Sequence, residues 1–493
     1  MLDKFNTTYD YDVSKEDVEE LSRKLAQLEQ AVKVKKIPVI ILFEGWSASG
    51  KGEMISKLIN CFDPRSFKVL TIRNASEDEA RKPLMYRFWK DIPQKSRFSI
   101  MDRSWYRETV YQYMNEEISK QDFKNTIDTI NITERQLCDD GYVIIKFFLN
   151  ISKSEQKKRL EKLQSSDITK WRVNKNDIHS NKNYDRWQKW FGKMLCDSNT
   201  EYCPWHIVAA DEMLSSVYQI YSHTVSVLEN AISGKTDRLP QFDTINPEKP
   251  QFPLIQMKKL SEYDLSKSLS ENLYREELKN QQKLLSKLHN KCYIKRKPVI
   301  ICYEGWDAGG KGGSIRRVTN ALDPRGYEVV PISAPDSTAL SKHYLWRFWE
   351  NICKSGHITI FDRTWYGRVM VEKIEGFTPV ERCSQAYQEI NEFEKQLSDW
   401  GAVIIKFWMQ IDRDEQLARF TLRQNTPEKQ WKITDEDWRN REKWELYESA
   451  VNEMLQKTST VYAPWTVIEG NDKKFARIKA LKTINEAIEN SLE

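Results

Sequence analysis

An internal repeat constrains this 493-residue chain more than any other feature, because the motifs of its first half recur 260 positions later. The matched positions include Gly45 and Gly305, Asp102 and Asp362, Lys146 and Lys406, and Trp205 and Trp465. Solenoid repeats have periods of about 20 to 50 residues, so a period this long indicates a duplicated domain. We call the two halves the first copy and the second copy.

The segment between the copies is typical of a linker. Residues 233–254, SGKTDRLPQFDTINPEKPQFPL, contain four prolines and few periodic apolar positions. We therefore expect a first domain at 1–232, a linker at 233–260 and a second domain at 261–493. The chain length agrees, since an ordinary domain has about 100 to 200 residues.

Each copy alternates strand-like and helix-like segments. Apolar runs such as PVIILF and PVIICY end in a glycine loop, and a polar, helix-compatible segment follows each loop. The runs FSIMD and ITIFD end in an aspartate, and VIIKFFL and VIIKFWM supply a further strand. This order predicts the α/β class, with a parallel sheet in each copy covered by helices on both faces. Sites in such sheets lie at the carboxyl ends of the strands.

Composition excludes several classes of function. The 77 basic and 72 acidic residues nearly balance, giving a net charge of +5, so we expect no nucleic-acid partner. The eight cysteines form no C-x-x-C pair and the six histidines form no metal-binding motif. No apolar run reaches the roughly 20 residues that span a bilayer, and no signal pattern opens the chain. We expect a soluble, cytoplasmic protein with no membrane partner.

The second copy carries a glycine-rich phosphate loop, EGWDAGGKGGS, at 304–314. Backbone N–H groups in such a loop, at the start of a helix, attract phosphate. The expected phosphate-binding residues are Gly305, Ala308, Gly309, Gly310, Lys311, Gly312 and Gly313. The usual loop places a magnesium-binding hydroxyl after its lysine, whereas Gly312 stands here. The carboxylate of Asp307 is a suitable replacement oxygen ligand for Mg²⁺.

Charged residues beyond the loop complete the predicted site. Asp362 ends a predicted strand, in the position of a magnesium ligand in phosphoryl-transfer enzymes. Arg419 and Arg423 lie four residues apart and share a helix face, which is either a phosphate-binding face or a solvated one. Trp431 and Lys432 follow in a segment that could form a mobile cover.

These motifs resemble a known family. GWDAGGKGG, FDRTWYGR and RFTLRQ with the following EKQWK resemble the phosphate loop, aspartate motif and lid of the polyphosphate kinase 2 family. The tandem layout resembles its two-domain, AMP-phosphorylating class, and the resemblance covers nearly the whole chain. It implies two three-layer α/β/α P-loop kinase-like domains, each with a helical lid.

The resemblance also implies the ligands and the residues that hold them. Mg²⁺ is the implied cofactor, and inorganic polyphosphate and AMP/ADP are the implied partners. Asp307 and Asp362 would serve magnesium and acceptor positioning, and Lys311 with the loop amides would hold phosphate. The residues implied to contact donor or acceptor phosphates are Arg363, Arg368, Arg419 and Arg423.

The first copy departs from this pattern, and all of its departures weaken the expected binding of metal and phosphate. It has Ser47 for Asp307, Glu53 for Gly313, Ser56 for Arg316, Glu108 for Arg368 and Leu163 for Arg423. Each change removes a ligand or a cation, or adds an anion where polyanions would bind. Lys51, Asp102, Arg103 and Arg159 remain as a vestigial site that could still bind phosphate chains. We expect the first copy to be non-catalytic.

The predicted reaction is polyphosphate(n) + AMP → polyphosphate(n−1) + ADP, in the second copy. The phosphate of AMP needs no general base, since its second pKa is about 6. Two alternatives stay open: an ATP-dependent nucleoside monophosphate kinase, and a non-catalytic nucleotide- or polyphosphate-binding scaffold. The oligomeric state is also open, with a homo-oligomer among the options.

Overall fold

The computed structural model describes residues 1–235 and 240–493. The chain divides into two compact units. The first comprises residues 1–75, 87–249 and 337–343, and the second comprises 76–86, 250–336 and 344–493. The expected domain boundaries place 233–260 in a linker, and that division stays a prediction.

The first half of the chain has five strands and nine α-helices within its described residues. The strands are β1 (Val39–Gly45), β2 (Phe67–Thr71), β3 (Phe98–Asp102), β4 (Val143–Asn150) and β5 (Trp205–Ala209). The helices are α1 (Lys15–Lys35), α2 (Lys51–Ile59), α3 (Tyr86–Lys90), α4 (Trp105–Met114), α5 (Lys120–Asp139), α6 (Lys153–Gln164), α7 (Lys175–Lys182), α8 (Tyr184–Asp197) and α9 (Met213–Ser233). Short 3-10 helices lie at Leu2–Lys4, Glu79–Arg81 and Lys170–Arg172.

The second half repeats this order. Its strands are β6 (Val299–Gly305), β7 (Tyr327–Pro331), β8 (Ile358–Asp362), β9 (Val403–Gln410) and β10 (Trp465–Glu469). Its helices are α10 (Glu271–Ile294), α11 (Lys311–Thr319), α12 (Ser337–Leu340), α13 (Trp346–Trp349), α14 (Val371–Ile374), α15 (Val380–Asp399), α16 (Arg413–Gln424), α17 (Asp435–Glu442), α18 (Trp444–Thr458) and α19 (Lys473–Leu492). The 3-10 helices are Leu260–Glu262, Trp365–Val369 and Pro427–Lys432.

Each half forms one five-stranded sheet whose strand pairs are all parallel. The first sheet has the order β2-β3-β1-β4-β5, and the second has the equivalent order β7-β8-β6-β9-β10. The central strand β6 reads VIICYEG and is buried up to its last residue, because helices cover both faces of the sheet. The predicted α/β class with two tandem domains is confirmed.

The order of the strands determines where a site can form. After β6 the chain crosses to β7 at the sheet edge, and β8 then returns to lie beside β6. Connections therefore leave β6 and β8 from the same end of the sheet, where the loops separate and open a crevice. Within the described residues, no helix is both long and apolar enough to cross a membrane.

Candidate active site

The phosphate loop of the second copy joins β6 to α11. Gly305 ends β6 with a φ of +145°, and an added Cβ there would lie 2.6 Å from the Cβ of Met409 on β9. Only glycine therefore allows the two strands to approach this closely. Gly310 adopts a φ of +108° as the residue that caps α11, and the helix begins at Lys311. The first amides of α11 thus face the loop, as an anion site requires.

Two cations hold the loop in shape. The Nζ of Lys311 donates to the carbonyl oxygens of Gly305 at 2.7 Å and Trp306 at 3.3 Å. The guanidinium of Arg419 donates to the carbonyl of Ala308 at 2.8 Å and to that of Gly470 at 2.6 Å. Arg419 is only 5% exposed. It therefore fixes the loop against the end of β10, and it also lines the first of the two cavities described below.

Both carboxylate oxygens of Asp307 are engaged. Its Oδ1 accepts from Arg363 at 3.3 Å, and its Oδ2 accepts from the side-chain amide of Asn440 on α17 at 2.9 Å. The side chain of Asp307 keeps 15% of its exposure. These contacts place the carboxylate at the start of the loop and link it to the helical segment that follows β9.

The second predicted carboxylate lies on the neighbouring strand. Asp362 ends β8 and pairs in register with Tyr303 of β6, two residues before Gly305. The next residue, Arg363, has a φ of +65°, which is unusual for a side chain other than glycine. The amide of Arg363 donates to the carbonyl of Tyr303 at 3.0 Å. This turn directs the chain from β8 across the end of β6.

Buried aromatic residues anchor the segment after β8. Trp365 and Tyr366 both donate to Oε1 of Glu394 on α15, at 3.0 and 2.6 Å. Lys406 of β9 is fully buried and donates to the other oxygen of Glu394 at 2.7 Å. A carboxylate that satisfies three buried donors fixes the position of this segment. Trp365 therefore has a packing role.

A cationic cavity of about 280 Å³ adjoins the second part of the loop, from Ala308 to Gly313. Its floor includes Gly309, Gly310 and Gly313. Six basic residues and no carboxylate line it: Arg419, Arg423, Lys429, Lys432, Lys473 and Arg477. The predicted pair Arg419 and Arg423 thus lies together in one wall. The other cations come from the 427–432 segment and the start of α19, and together they favour a polyanion.

A second cavity, of about 330 Å³, adjoins the first part of the loop, from Glu304 to Asp307. Its polar lining includes Glu304, Asp307, Arg347 and Arg363. Apolar side chains form much of the remaining wall: Ile332, Ala334, Pro335, Met370, Val371, Phe377 and Trp408. A few converging polar groups within apolar walls are typical of a small-molecule site. We call the two spaces the cationic cavity and the mixed cavity.

Arg368 lines neither cavity. Its Nη1 donates to Oε2 of Glu372 and to Oγ1 of Thr378, both at 2.6 Å. Its guanidinium also lies over the ring of Tyr344, 4.5 Å from the ring centroid. The predicted contact between Arg368 and phosphate stays a prediction, and these contacts indicate a different role that we argue below.

Glu304 is a buried acid at the base of the mixed cavity. It is 5% exposed, and its Oε1 accepts from the amide and the hydroxyl of Thr364, both at 2.7 Å. Burial raises the pKa of Glu304 to about 7, although the Thr364 hydrogen bonds and the charge of Lys311 oppose that shift. The carboxyl group can therefore change its charge near neutral pH.

In the first copy, the space that corresponds to the mixed cavity is small. The equivalent space, lined by Glu44, Gly45, Ser47 and Arg103, measures about 10 Å³. Arg107 replaces Gly367, and its guanidinium donates to the carbonyl of Ile72 at 3.1 Å. Tyr111 replaces Val371, and its ring packs 5.1 Å from that of Trp187. These larger side chains fill the space.

The first copy retains the shape of the loop without its surroundings. Lys51 donates to the carbonyls of Gly45 and Trp46, and burial lowers its pKa to about 8. Arg159 bonds the loop carbonyl of Ser49 at 3.1 Å and that of Ala210 at 2.9 Å, much as Arg419 does. Four cations of the cationic cavity have uncharged equivalents in the first copy: Leu163, Thr169, Met213 and Val217. Asp102 ends β3 as Asp362 ends β8.

The structure also identifies residues that the motifs did not indicate. Lys473 and Arg477 join the cationic cavity from α19, and Glu372 and Asn440 join the mixed cavity. Comparison of the copies could have found the first two, since Met213 and Val217 replace them. In the part of the chain that the structure describes, no three metal-ligating side chains are grouped to hold an ion.

Comparisons with known proteins agree with this architecture. A family model described as polyphosphate kinase 2 matches residues 8–235 and 268–493. A polyphosphate:AMP phosphotransferase of Pseudomonas aeruginosa is 38% identical over 486 residues, covering 97% of this chain and 96% of that protein. A protein of the same name from Pseudomonas syringae pv. tomato is also 38% identical, covering 92% of this chain and 91% of that protein.

A solved structure matches over the whole chain. The crystal structure of a polyphosphate kinase 2 from Pseudomonas aeruginosa aligns with a TM-score of 0.85 and 36% identity, covering 100% of this chain and 99% of that one. Both copies and the loop-bearing sheets therefore have counterparts in a known protein. The chain belongs to the polyphosphate kinase 2 family.

Proposed function

We propose that the second copy transfers the terminal phosphate of inorganic polyphosphate to AMP and so produces ADP. The observation that carries this proposal is the pair of unlike cavities that adjoin different parts of one phosphate loop. The relatives named polyphosphate:AMP phosphotransferase, similar over almost the full chain, support the same donor and acceptor.

The cationic cavity suits the donor. Polyphosphate presents a row of charged oxygens and no base or sugar, and six cations with a glycine floor can bind such a chain. An ATP donor would need an additional surface for its adenine, and Met409 and Leu422 are the large apolar side chains among those that line the cationic cavity. The ATP-dependent kinase is therefore the weaker candidate.

The mixed cavity suits a nucleoside monophosphate. Its apolar walls can pack against the base of the nucleotide. Arg363 and the phosphate loop line the part of the cavity that would hold the phosphate of the nucleotide. An oxygen of the AMP phosphate would attack the terminal phosphorus while the bridging P–O bond breaks and its electron pair leaves with the shortened chain. Because the attacking oxygen is already largely deprotonated at neutral pH, no side chain has to remove a proton.

The proposal includes Mg²⁺ held by Asp307 and Asp362. Asp362 ends β8, and Asp307 lies two residues beyond the end of β6. Carboxylates are hard oxygen ligands, and Mg²⁺ commonly uses one or two of them with substrate phosphates. Bound there, it would neutralise part of the phosphate charge. Arg363 and Lys311 would provide the remaining compensation, since phosphoryl transfer depends mainly on positioning and electrostatics.

One assay tests the proposal. The purified protein is supplied with AMP and Mg²⁺ and with either polyphosphate or ATP, and the nucleotides are resolved by chromatography. We expect ADP to form far faster with polyphosphate than with ATP, and faster than polyphosphate converts ADP to ATP. A clear preference for ATP would establish the nucleoside monophosphate kinase instead, and no turnover with either donor would favour the scaffold.

A further inference from the structure

Glu372 presents one carboxylate oxygen to the mixed cavity. Its Oε2 accepts from Nη1 of Arg368 at 2.6 Å and from the hydroxyl of Thr378 at 2.8 Å. Across the described residues, 1–235 and 240–493, no hydrogen bond reaches its Oε1. Glu372 lines the cavity and keeps 19% of its exposure. One oxygen is therefore fixed by protein donors, and the other is left for a ligand.

The surroundings of that oxygen select the chemistry of the ligand. An ionised carboxylate can only accept hydrogen bonds, so it requires an N–H or O–H donor. Met370, Val371 and Phe377 contribute apolar surface to the same cavity. The guanidinium of Arg347 also lines this cavity and interacts electrostatically with Glu372. A ligand without the donor would leave the oxygen desolvated and without a hydrogen bond, so the oxygen discriminates between ligands.

The first copy has lost this arrangement together with its cavity. Gln112 replaces Glu372, and its amide donates weakly to Glu108 at 3.4 Å. Glu108 stands in place of Arg368, and Ile118 stands in place of Thr378. The second copy, whose mixed cavity is open, therefore has all three residues of this network. In the first copy, where the equivalent space is filled, all three are replaced.

We propose that Glu372 is a specificity-determining residue for the acceptor and that Arg368 is its positioning residue. Oε1 of Glu372 accepts a hydrogen bond from a donor on the nucleoside half of the monophosphate, either the exocyclic amine of the base or a ribose hydroxyl. Arg368 and Thr378 hold the carboxylate in the orientation that presents this oxygen. The inference rests on the proposed function, because it assumes a nucleoside monophosphate in the mixed cavity.

The variant Glu372→Gln provides a sharp test. Arg368 and Thr378 both donate toward Oε2, so the amide must place its carbonyl there and turn its NH₂ toward the cavity. The group facing the ligand then changes from an acceptor to a donor with little change in shape. We expect the KM for AMP to rise about 10- to 100-fold, the range for one lost charge-assisted hydrogen bond, with a smaller change in kcat.

Acceptor analogues locate the contact. AMP, 2′-deoxy-AMP, 3′-deoxy-AMP and IMP are compared in wild type and in Glu372→Gln. The analogue that lacks the contacted donor is expected to have nearly the same KM in both enzymes, whereas the other acceptors bind worse in the variant. An equal change for all four acceptors, or no change for any, would overturn the assignment. Glu381→Gln, at an exposed position of α15, is the matched control.

Arg368→Gln tests the positioning role. We expect it to shift the ratios of acceptor KM values in the same sense as Glu372→Gln while the KM for polyphosphate stays unchanged. A raised KM for polyphosphate with unaltered acceptor ratios would instead make Arg368 a phosphate ligand. Calorimetric Kd values for the four nucleotides, measured without a donor, keep this test separate from the proposed function. Loss of selectivity in those Kd values supports the Glu372 contact even if polyphosphate is not the donor.

Discussion

At the scale of single residues, two arginines one helical turn apart on α16 have different surroundings. Arg419 is buried and bonds backbone carbonyl oxygens of the loop and of the segment after β10. Within the described part of the chain, the side chain of Arg423 makes one hydrogen bond, to the carbonyl of Lys432 at 3.1 Å, and it lines the cationic cavity. Arg423 is therefore the better candidate to stabilise the negative charge of a bound phosphate chain during the reaction.

Arg423→Ala should slow turnover about 10²-fold or more, because a preorganised cation that faces developing charge typically contributes that much. Steady-state rates with polyphosphate and AMP measure the effect. Leu163→Ala at the equivalent position of the first copy is the control, and we expect it to leave the rate nearly unchanged. Normal activity of Arg423→Ala would show that this side chain belongs to a solvated basic face.

Glu304 predicts a dependence of stability on pH. Its folded-state pKa of about 7 lies above the usual value of 4.5, so between these values the folded protein binds more protons than the unfolded chain. Its contribution to stability is fully present below pH 4.5 and is lost as the pH rises to about 7. The loss is about 3.5 kcal/mol at about 1.4 kcal/mol per unit of pKa.

Glu304→Gln should remove this loss while keeping an oxygen for Thr364. We expect the variant and the wild type to have similar free energies of unfolding at pH 4.5, and the variant to be more stable at pH 8. Denaturant titrations at both pH values measure the difference between the proteins, so that other titrating groups cancel. A constant difference across the range would contradict the raised pKa of Glu304.

At the scale of elements, the segment after β8 determines whether the mixed cavity exists. In the second copy it is a 3-10 helix, Trp365–Val369, followed by the short α14, whereas the first copy has one continuous helix, Trp105–Met114. Buried aromatic anchors are the same in both, since Trp105 and Tyr106 donate to Glu134. The difference therefore depends on the residues between the anchors and the cavity.

Gly367→Arg should close the mixed cavity. A Cβ at Gly367 would meet only Val371 Cγ1, at 3.7 Å, so side chains fit locally, and a long one can extend into the cavity as Arg107 does in the first copy. We expect AMP binding to fall by at least tenfold while polyphosphate binding persists. Gly367→Ala, which fits at ordinary contact distance, should bind AMP normally. Calorimetry with each ligand distinguishes these outcomes, and unchanged AMP affinity in Gly367→Arg would contradict the steric account.

At the scale of the whole molecule, the two copies differ in the cavities and carboxylates that lie next to their loops. The second copy has a cationic cavity, a mixed cavity and two carboxylates near the loop. The equivalent of the mixed cavity in the first copy measures about 10 Å³, and Ser47 replaces one of those carboxylates. Ser47 donates instead to Asp177 at 2.6 Å. Activity should therefore depend on the second copy alone.

Lys311→Ala and Asp307→Asn should abolish turnover, whereas Lys51→Ala should retain most of the turnover number. Each lost charge-assisted contact in a closed site costs about 1.5 to 3 kcal/mol, and about 1.4 kcal/mol is tenfold in rate. Initial rates measure activity, and circular dichroism shows whether each variant is folded. A dead but folded Lys51→Ala enzyme beside an active Lys311→Ala enzyme would reverse the assignment. Loss of activity in both would mean that the copies work together.

Restoring the missing ligand alone should not revive the first copy. Ser47→Asp supplies a carboxylate. Arg107 and Tyr111 still fill the space equivalent to the mixed cavity, however, and Glu108 still adds a negative charge. The rate of Ser47→Asp in a Lys311→Ala background measures the first copy by itself. Appreciable turnover in that double variant would contradict the steric explanation.

The sequence by itself determined the features that depend on local patterns and on their repetition. Apolar runs that end in glycine or aspartate specified parallel strands with a loop and a carboxylate at their carboxyl ends, as β6 and β8 confirm. The 260-residue repeat indicated two domains and, position by position, the lost charges of the first copy. The glycine motif predicted the phosphate loop because its backbone geometry depends on a few adjacent residues.

Only the tertiary structure decided which side chains face the same space. Arg368 and Arg419 match family motifs, yet one bonds Glu372 and the other bonds loop carbonyls, because partners distant in sequence determine where a long side chain points. Asn440 reaches Asp307 across 133 positions, and Lys473 and Arg477 enter the cationic cavity from the last helix. Cavity volume likewise depends on packing. Only the folded structure therefore shows that Arg107 and Tyr111 fill the space in the first copy that corresponds to the mixed cavity.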